Sequence, residues 1–320
     1  MSNPKIPDKQ PYQSPFLSVK QVSEYLQLNE KKIYSLANDG HIPATKVTGK
    51  WMFPRELIDR WMLDSSHSGL LNDRLIIGGS DDPLLSRVIS NLAHDIKHHA
   101  LISYSPSSTS IGLNLLQSRR IDICVIHWGA QAESNLRHPA LLQQYSQSRQ
   151  WVLIRAFQRE QGLIISPKVM KLIQQQFSLQ QSNSQEQLSF LFNSPFLWAK
   201  RQIESGSQRF LQEILVKDHR GNKALDTEIE AKSEHEAAAI IAMGLADISP
   251  GTRASANEFG QQFISLGWES VDLVLPRNIW FRHLFQEFID ELKSITTQEI
   301  AETLVGYDLS SCGELLWGDD

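Results

Sequence analysis

Beyond residue 74 the chain alternates short apolar runs with amphipathic helical patterns, and this alternation restricts the possible folds more than any other feature. The runs RLIIGGS, ALISYS and IDICVIHW are typical of strands, and DPLLSRVISNLAHDIKHH and SIGLNLLQSR lie between them as helices. Strands that are connected through helices form parallel sheets with right-handed crossovers. WVLIRAF, GLIIS and SVDLVLP are predicted as further strands. The pattern therefore predicts an α/β body.

The segment from Ser18 to Met62 predicts a separate small domain, because its pattern is that of short helices. Ser18 is placed to cap a first helix, with Gln21 as its capping-box partner, and Asn29 is placed to cap a second. Only about three residues separate the two helices, which is the spacing of a helix-turn-helix. Gly40 supplies the left-handed residue that ends the second helix.

A hairpin and a third helix complete this segment. Thr48–Lys50 is predicted as the turn between two short strands, and Pro54 as the start of the third helix. Leu57, Ile58 and Trp61 of that helix are expected to pack inward. The side chains predicted to contact DNA are those left outside on the second helix and around the hairpin: Lys31, Lys32, Tyr34, Ser35, Asn38, Lys46, Lys50 and Arg55.

The stretches FLSVKQVSEYL, NEKKIYSLANDG and HIPATKVTGKWMFPRELIDRWM together resemble the excisionase-type, MerR-related winged helix-turn-helix family, without a gap. The resemblance implies that this domain binds double-stranded DNA. Members often carry arginines early in the recognition helix, whereas here Glu30 precedes Lys31 and Lys32. Lysine does not offer the planar fork of arginine, so bidentate contact to guanine is less assured.

Segments spread over residues 75–276 resemble the periplasmic-binding-protein-like domain of one-component regulators, which is related to molybdate-binding proteins. The likeness rests on IIGGSDDPLL, STSIGLNLLQSRRIDICVIHW, VLIRAFQREQGLIIS, AKRQIESGSQRFLQEIL and AIIAMGLADISPGTRASANEFGQQFISLGWESVDLVLP, in this order. It implies a two-lobed type-II α/β fold, in which both ends of the domain build one lobe and roughly residues 160–265 form an inserted lobe. The ligand cleft would lie between the lobes.

Several predicted strands end in hydroxyl-rich turns that begin a helix. Such turns offer free backbone N–H groups at the positive end of a helix dipole, although Ser and Thr are also simply good N-caps. Open α/β sheets bind ligands at the carboxyl ends of their strands. The candidate ligand-binding residues are Ser80, Ser108, Thr109, His127, Arg159, Ser205, Ser207 and Arg209.

Two ligand chemistries stay open at this point. A tetrahedral oxyanion, such as molybdate or tungstate, suits the hydroxyl groups of the turns. An organic acid would instead be clamped by the guanidinium of Arg159 or Arg209, each of which could equally form a salt bridge. Glu204 lies in the last of these turns, and its carboxylate would repel a dianion.

The sequence carries no signature of an enzyme. It has no Gly-x-Ser-x-Gly elbow, no phosphate-binding loop and no His-Glu-x-x-His motif. His94 and His98 lie four residues apart on a predicted helix, but at its polar end, and we assign no metal to them. Cys124 and Cys312 form no metal or redox pattern. We therefore expect a protein without catalytic activity or cofactor.

Charge is divided unevenly along the chain. Residues 1–63 hold nine Lys and Arg against six Asp and Glu, and the remainder holds 22 against 30. The N-terminal segment is therefore basic and the rest of the chain acidic, so we expect only the N-terminal segment to approach a polyanion. No apolar run is long enough for a transmembrane helix, and the N-terminal residues lack the apolar stretch of a secretory signal, so a cytoplasmic location is predicted.

Four segments are predicted: a disordered arm at 1–15, a helix-turn-helix domain at 16–63, a linker at 64–73 and a ligand-sensing domain at 74–320. We expect a one-component transcriptional regulator that binds an inverted repeat as a homodimer and responds to a small-molecule effector. Two alternatives stay open. One is an excisionase-like recombination accessory protein, and the other is a ligand-binding or interaction protein whose head contacts another protein.

Overall fold

The computed structural model describes residues 14–66, 73–96, 100–177, 184–203, 205–217 and 229–318. The chain divides into two compact units, Met1–Asp73 and Arg74–Asp320. The predicted arm lies almost wholly outside the described residues, and so does most of the predicted linker. Within the described ranges, none of the helices combines the length and the apolar character that a bilayer crossing needs.

The described part of the first unit is a small helical domain with a short sheet. Its elements are β1 (Phe16–Leu17), α1 (Val19–Leu26), α2 (Glu30–Asn38), β2 (Thr45–Val47), β3 (Lys50–Pro54) and α3 (Arg55–Ser66). Ser18 and Gln21 form the predicted capping box at the start of α1. The Asn29 side chain caps α2 by accepting a hydrogen bond from the Lys32 amide at 2.8 Å. Both predicted helix starts are therefore confirmed.

The turns of this unit also follow the local sequence. Gly40, just past α2, has φ of 70° and ends the helix in the left-handed conformation. Thr48 and Gly49 join β2 to β3 with φ of 50° and 83°, and two positive φ values are what a type I′ hairpin turn requires. The strand order is β1-β3-β2, so the predicted hairpin is confirmed.

The core of the first unit draws on all three helices and on β3. Val22, Ile33, Phe53 and Ile58 are fully buried. The expectation that Leu57 packs inward was wrong, because its side chain is 44% exposed. Adjacent residues of a helix point about 100° apart, so the two neighbours cannot both face the core, and Ile58 takes the inward position.

The rest of the chain alternates strands and helices. Its strands are β4 (Asp73–Ser80), β5 (Ala100–Ser107), β6 (Ile123–His127), β7 (Trp151–Ile165), β8 (Lys200–Arg201), β9 (Glu230–Ala231), β10 (Ile248–Thr252), β11 (Gln262–Pro276), β12 (Tyr307–Asp308) and β13 (Leu315–Trp317). Its helices are α4 (Pro83–Ile96), α5 (Thr109–Gln117), α6 (Ser134–Leu142), α7 (Pro167–Gln176), α8 (Ser184–Asn193), α9 (Gly206–Lys217), α10 (Glu234–Ala242), α11 (Arg253–Glu258), α12 (Arg277–Trp280), α13 (His283–Leu292) and α14 (Ile295–Leu304).

The main sheet has the strand order β10-β7-β11-β6-β4-β5, and β12 and β13 also pair with β7. β4 and β6 are parallel as predicted, but β6–β11, β11–β7 and β7–β10 are antiparallel, so the sheet is mixed. The runs WVLIRAF and GLIIS, predicted as two strands, form the single strand β7. The polar residues between them do not break the strand, because they stay paired with β11.

β7 and β11 each pass from one hydrophobic core region to another. Ile154 of β7 and Leu273 of β11 pack in the core that includes β4, α4 and α13. Leu163 of β7 and Ile264 of β11 instead pack against α7 and α8. The domain therefore has two lobes joined by its two longest strands. The first lobe is built from both ends of the domain, the second from the chain between β7 and β11, and the predicted two-lobed α/β fold is confirmed.

Candidate functional site

Two arginine–carboxylate pairs hold the long strands together where the lobes meet. Arg155 lies opposite Asp272, and Arg159 lies opposite Glu269, in the β7–β11 register. Nε of Arg155 is 2.5 Å from Asp272 Oδ1, and Nε of Arg159 is 2.7 Å from Glu269 Oε1. A register shift between Val271 and Asp272 separates the two pairs. The two arginines therefore reach different helices, Arg155 contacting α6 and Arg159 the start of α4.

Arg159 is the centre of a buried group of charges, which we call the Arg159 cluster (Arg159, Glu269, Asp82 and His127). Its Nη1 donates to Asp82 Oδ2 and to the Asp81 carbonyl, both at 2.9 Å, and its Nη2 lies 3.1 Å from His127 Nδ1. The residue is only 1% exposed. Each of its guanidinium nitrogens thus contacts a protein group, so a role as ligand clamp, which stays a prediction, would require the cluster to rearrange.

The His127 ring connects this cluster to the end of β6. Its Nδ1 lies 3.0 Å from Glu269 Oε1 as well as 3.1 Å from Arg159 Nη2. One nitrogen cannot donate to the carboxylate and accept from the guanidinium at once, so the tautomer of the His127 ring decides which of the two contacts is a hydrogen bond. Burial alone raises the pKa of Glu269, but the positive charges of His127 and Arg159 outweigh it and lower the pKa to about 2.

Buried hydroxyl groups lie beside the cluster, at the end of β4 and the start of α5. Ser80 Oγ and Thr109 Oγ1 are 2.9 Å apart, and Thr109 Oγ1 also donates to the His127 carbonyl at 3.3 Å. The Tyr104 hydroxyl donates to the Ser80 carbonyl. The fold thus brings together four of the residues singled out from the sequence, Ser80, Thr109, His127 and Arg159.

The second lobe meets this region with the first residues of α9 and α10. Ser207 Oγ donates to Glu234 Oε1, and the Glu234 amide donates to Asp81 Oδ2 at 2.9 Å. Gly206 packs against the His127 ring so closely that an added Cβ would lie 2.5 Å from both ring nitrogens. Direct contacts therefore cross between the lobes, and the cleft is closed in this structure.

Three buried side chains of the second lobe, Arg201, Gln161 and Glu234, carry polar atoms that lack a hydrogen-bond partner in the described part of the chain. We call them the Arg201 group. The unpartnered atoms are Nε and Nη1 of Arg201, both amide atoms of Gln161 and Oε2 of Glu234. Leaving a buried polar group unpaired costs about 1–3 kcal/mol. Arg201 Nη2 and Glu234 Oε1 are 3.6 Å apart, so two of the three side chains leave polar atoms unpaired in one place.

The remaining predicted ligand residues lie at the edge of this region or away from it. Ser108 and Ser205 each accept a backbone hydrogen bond at the start of a helix, so both act as N-caps. Arg209 is half-buried on α9, and its charge opposes the burial that raises the pKa of Tyr145, which places it near that ring. Glu204 lies outside the described residues.

Sequence reasoning missed most of the carboxylates of the cleft and the whole Arg201 group. An isolated polar residue in a buried apolar strand would be a signal, but Gln161 follows Glu160 and Glu269 precedes Ser270, so neither residue is isolated in this way. Arg201 offered no such signal, since β8 is only two residues long. Glu234 follows the N-cap of α10, where an acidic residue is favourable for the helix dipole alone.

The DNA-contact residues predicted in the first unit are all exposed: Lys31, Lys32, Tyr34, Ser35, Asn38, Lys46, Lys50 and Arg55. Lys46 Nζ lies 5.5 Å from the centre of the Trp51 ring, and the Arg55 guanidinium lies 5.7 Å from the centre of the Tyr25 ring. These cation–π contacts restrain two long side chains without burying their charges. The unit therefore presents exposed cationic groups from α2, the hairpin and the start of α3.

Two family models match this chain. Residues 91–293 match a PBP superfamily domain, and residues 16–66 match a helix-turn-helix domain. No match was found among curated proteins.

Solved structures share the fold at low sequence identity. A putative phosphate ABC transporter substrate-binding protein with bound phosphate, from Clostridium perfringens, is 12% identical with a TM-score of 0.51 and covers 74% of this chain and 100% of that chain. A cysteine mutant of OxyR from Corynebacterium glutamicum is 12% identical with a TM-score of 0.50 and covers 90% of this chain and 89% of that chain. At such identities the likeness concerns the fold alone.

Glu269→Gln is expected to make the free energy of unfolding depend less on pH in the acid range. The pKa of Glu269 is lowered from 4.5 to about 2 in the folded state, so its charge stabilises the fold above pH 4.5, and this stabilisation is lost as the pH falls toward 2. The difference corresponds to about 3 kcal/mol. Urea unfolding across this acid range measures it, with Glu299→Gln on the exposed side of α14 as a control for the lost charge. Equal pH slopes for Glu269→Gln and wild type would contradict this assignment.

Gly206→Ala is expected to destabilise the closed cleft by about 1–3 kcal/mol, because the new methyl group overlaps the His127 ring. In a His127→Ala background the ring is absent, so the same substitution should cost much less. A double-mutant cycle measured by urea unfolding tests this coupling. An equal cost in both backgrounds would show that the methyl group does not meet His127.

Proposed function

The chain belongs to the PBP superfamily, and from this premise we propose that it is a ligand-responsive, DNA-binding transcriptional regulator. One observation carries the proposal. A helix-turn-helix domain with exposed cationic side chains shares a chain with a two-lobed domain, whose closed cleft holds buried polar groups that have no partner among the described residues. The first unit contacts DNA, and the second unit binds the effector.

DNA binding is assigned to α2 and the hairpin of the first unit. Lys31 and Lys32 lie in the first turn of α2, where a recognition helix approaches the DNA backbone and base edges. Lysine acts on phosphate as a point charge, so these side chains supply affinity rather than base choice. Tyr34, Ser35 and Asn38 follow on the exposed side of the same helix and are the candidates for base contacts.

The regulator acts as a homodimer on an inverted repeat. A single helix-turn-helix module reads only about half a site, and two-fold symmetric proteins match two-fold symmetric operators. A cytoplasmic location follows from access to DNA. The role is non-catalytic, since both matched families are of binding domains.

The effector binds between the lobes and favours the closed arrangement. A ligand shifts a conformational equilibrium only by its difference in affinity for the two states, and contacts that exist only in the closed cleft provide that difference. Arg201 has two nitrogens, Nε and Nη1, without a partner among the described residues, which supports an effector with an anionic group. Organic acids and oxyanions such as molybdate or phosphate are therefore the first effectors to test.

Replacing Lys31 and Lys32 together by Ala is expected to weaken DNA binding and to lower its salt dependence. Each lost phosphate contact reduces the slope of log K against log salt by about 0.9, so the double variant should lose about 2 per module. Fluorescence anisotropy of the full chain with a DNA site selected from a random pool measures both quantities.

The matched control is Lys168→Ala with Lys171→Ala, which removes two exposed lysines from α7 of the second unit. This control should retain the wild-type affinity and slope. If the two double variants behave alike, or if the wild-type chain selects no DNA sequence, the proposed function is wrong.

A further inference from the structure

The Arg201 group restricts the chemistry of the effector. Arg201 is 4% exposed, Glu234 1% and Gln161 0%, and each carries polar atoms without a partner in the part of the chain that the structure describes. Arg201 and Gln161 leave N–H groups unused, whereas Glu234 and Gln161 leave oxygens unused. A ligand that satisfies Arg201 and Glu234 must therefore both accept and donate hydrogen bonds.

Two of the three side chains, Arg201 and Glu234, lie close together beside β10. Arg201 Nη2 is 3.6 Å from Glu234 Oε1. Glu234 Oε2 lies 3.2 Å from the position that a Cβ on Gly251 would take. Gln161 pairs with Thr252, the residue after Gly251, so its side chain belongs to the other face of the sheet. One small molecule can therefore reach Arg201 and Glu234 together.

The charge around this group is negative. Asp81 of the first lobe joins it, because its Oδ2 accepts from the Glu234 amide at 2.9 Å. Four carboxylates, those of Asp81, Asp82, Glu234 and Glu269, therefore face Arg159, Arg201 and His127, and Arg159 brings no surplus because Asp82 and Glu269 both pair with it. Burial raises the pKa of Asp81, and the charge of Glu234 raises it further. The closed cleft thus already has more negative charge than its arginines balance.

We propose that the effector is a zwitterion that places an anionic group at Arg201 and an ammonium group at Glu234, as an α-amino acid does. The inference rests on the proposed function, since it names the ligand class of the same cleft. A fully ionised dianion would bring its charge beside Glu234 and Asp81 in a water-poor site, where like charges repel strongly. An ammonium group at this place instead forms charge-assisted hydrogen bonds with the carboxylate.

Isothermal titration calorimetry of the full chain tests the ligand class. The probes are the standard L-α-amino acids, each titrated separately, together with molybdate, sulfate and phosphate. For an amino acid that binds, the matched probes are the same molecule without its amino group and the same molecule without its carboxylate. At least one amino acid is expected to bind, and each matched probe is expected to bind at least about tenfold more weakly.

Glu234→Gln separates recognition of the ammonium group from a general effect on folding. The variant keeps the size of the side chain but removes its charge, so the affinity for the amino acid should fall about tenfold or more. The affinity for the matched deaminated acid should not fall and is expected to rise, because the variant removes a charge that repels its carboxylate. Because both ligands are measured on the same variant, a damaged fold cannot produce this selective loss.

Two results would overturn the inference. The first is binding of molybdate, sulfate or phosphate that is tighter than that of any amino acid and is not weakened by Glu234→Gln. The second is the absence of binding by every amino acid in the set. Neither result decides the proposed function, which depends on sequence-selective DNA binding by the full chain.

Discussion

The pairing of Arg159 with Glu269 across the two longest strands is the interaction on which the cleft depends. Burying two charges carries a desolvation cost that only good geometry and further hydrogen bonds offset, and removing one partner of such a pair costs about 3–5 kcal/mol. The guanidinium of Arg159 therefore also contacts Asp82 at the start of α4 and His127 at the end of β6. In satisfying one buried arginine, the fold fixes the strand ends and helix starts that line the first lobe's side of the cleft.

The second arginine–carboxylate pair, Arg155 with Asp272, has the same chemistry but a purely structural role. Arg155 and Asp272 also lie opposite each other in the β7–β11 register, and His138 Nδ1 lies 2.6 Å from Asp272 Oδ2. The Arg155 side chain also donates to Ser134 and Asn135 of α6 in the same lobe, so this trio stabilises the first lobe internally. The Arg159 cluster differs because its histidine also packs against Gly206 of the second lobe. An equivalent set of side chains thus stabilises one lobe at the first position and contacts the other lobe at the second.

The parts of the fold that depend on local sequence could be predicted, and the parts that depend on distant pairing could not. The caps at Ser18 and Asn29 act on amides within three residues, so the helix starts of the first unit could be predicted from the sequence alone. The continuity of β7 was not, because its polar middle is held by β11, which lies about a hundred residues further along the chain. The Arg201 group escaped prediction for the same reason, since tertiary contact alone brings Arg201 and Glu234 together.

The most direct test is whether ligand binding in the cleft changes the DNA affinity of the helix-turn-helix domain. The affinity of the full chain for its selected DNA site should be measured with and without the small-molecule fraction of a cell extract, for wild type and for Arg201→Gln. Addition of the small-molecule fraction should change the DNA affinity of the wild type by about 5- to 150-fold, the usual range of coupling between sites. The DNA affinity of the variant should change little or not at all. A wild-type affinity that stays the same, or a variant that responds as strongly as wild type, would contradict the claim that this body senses a ligand for its DNA-binding domain.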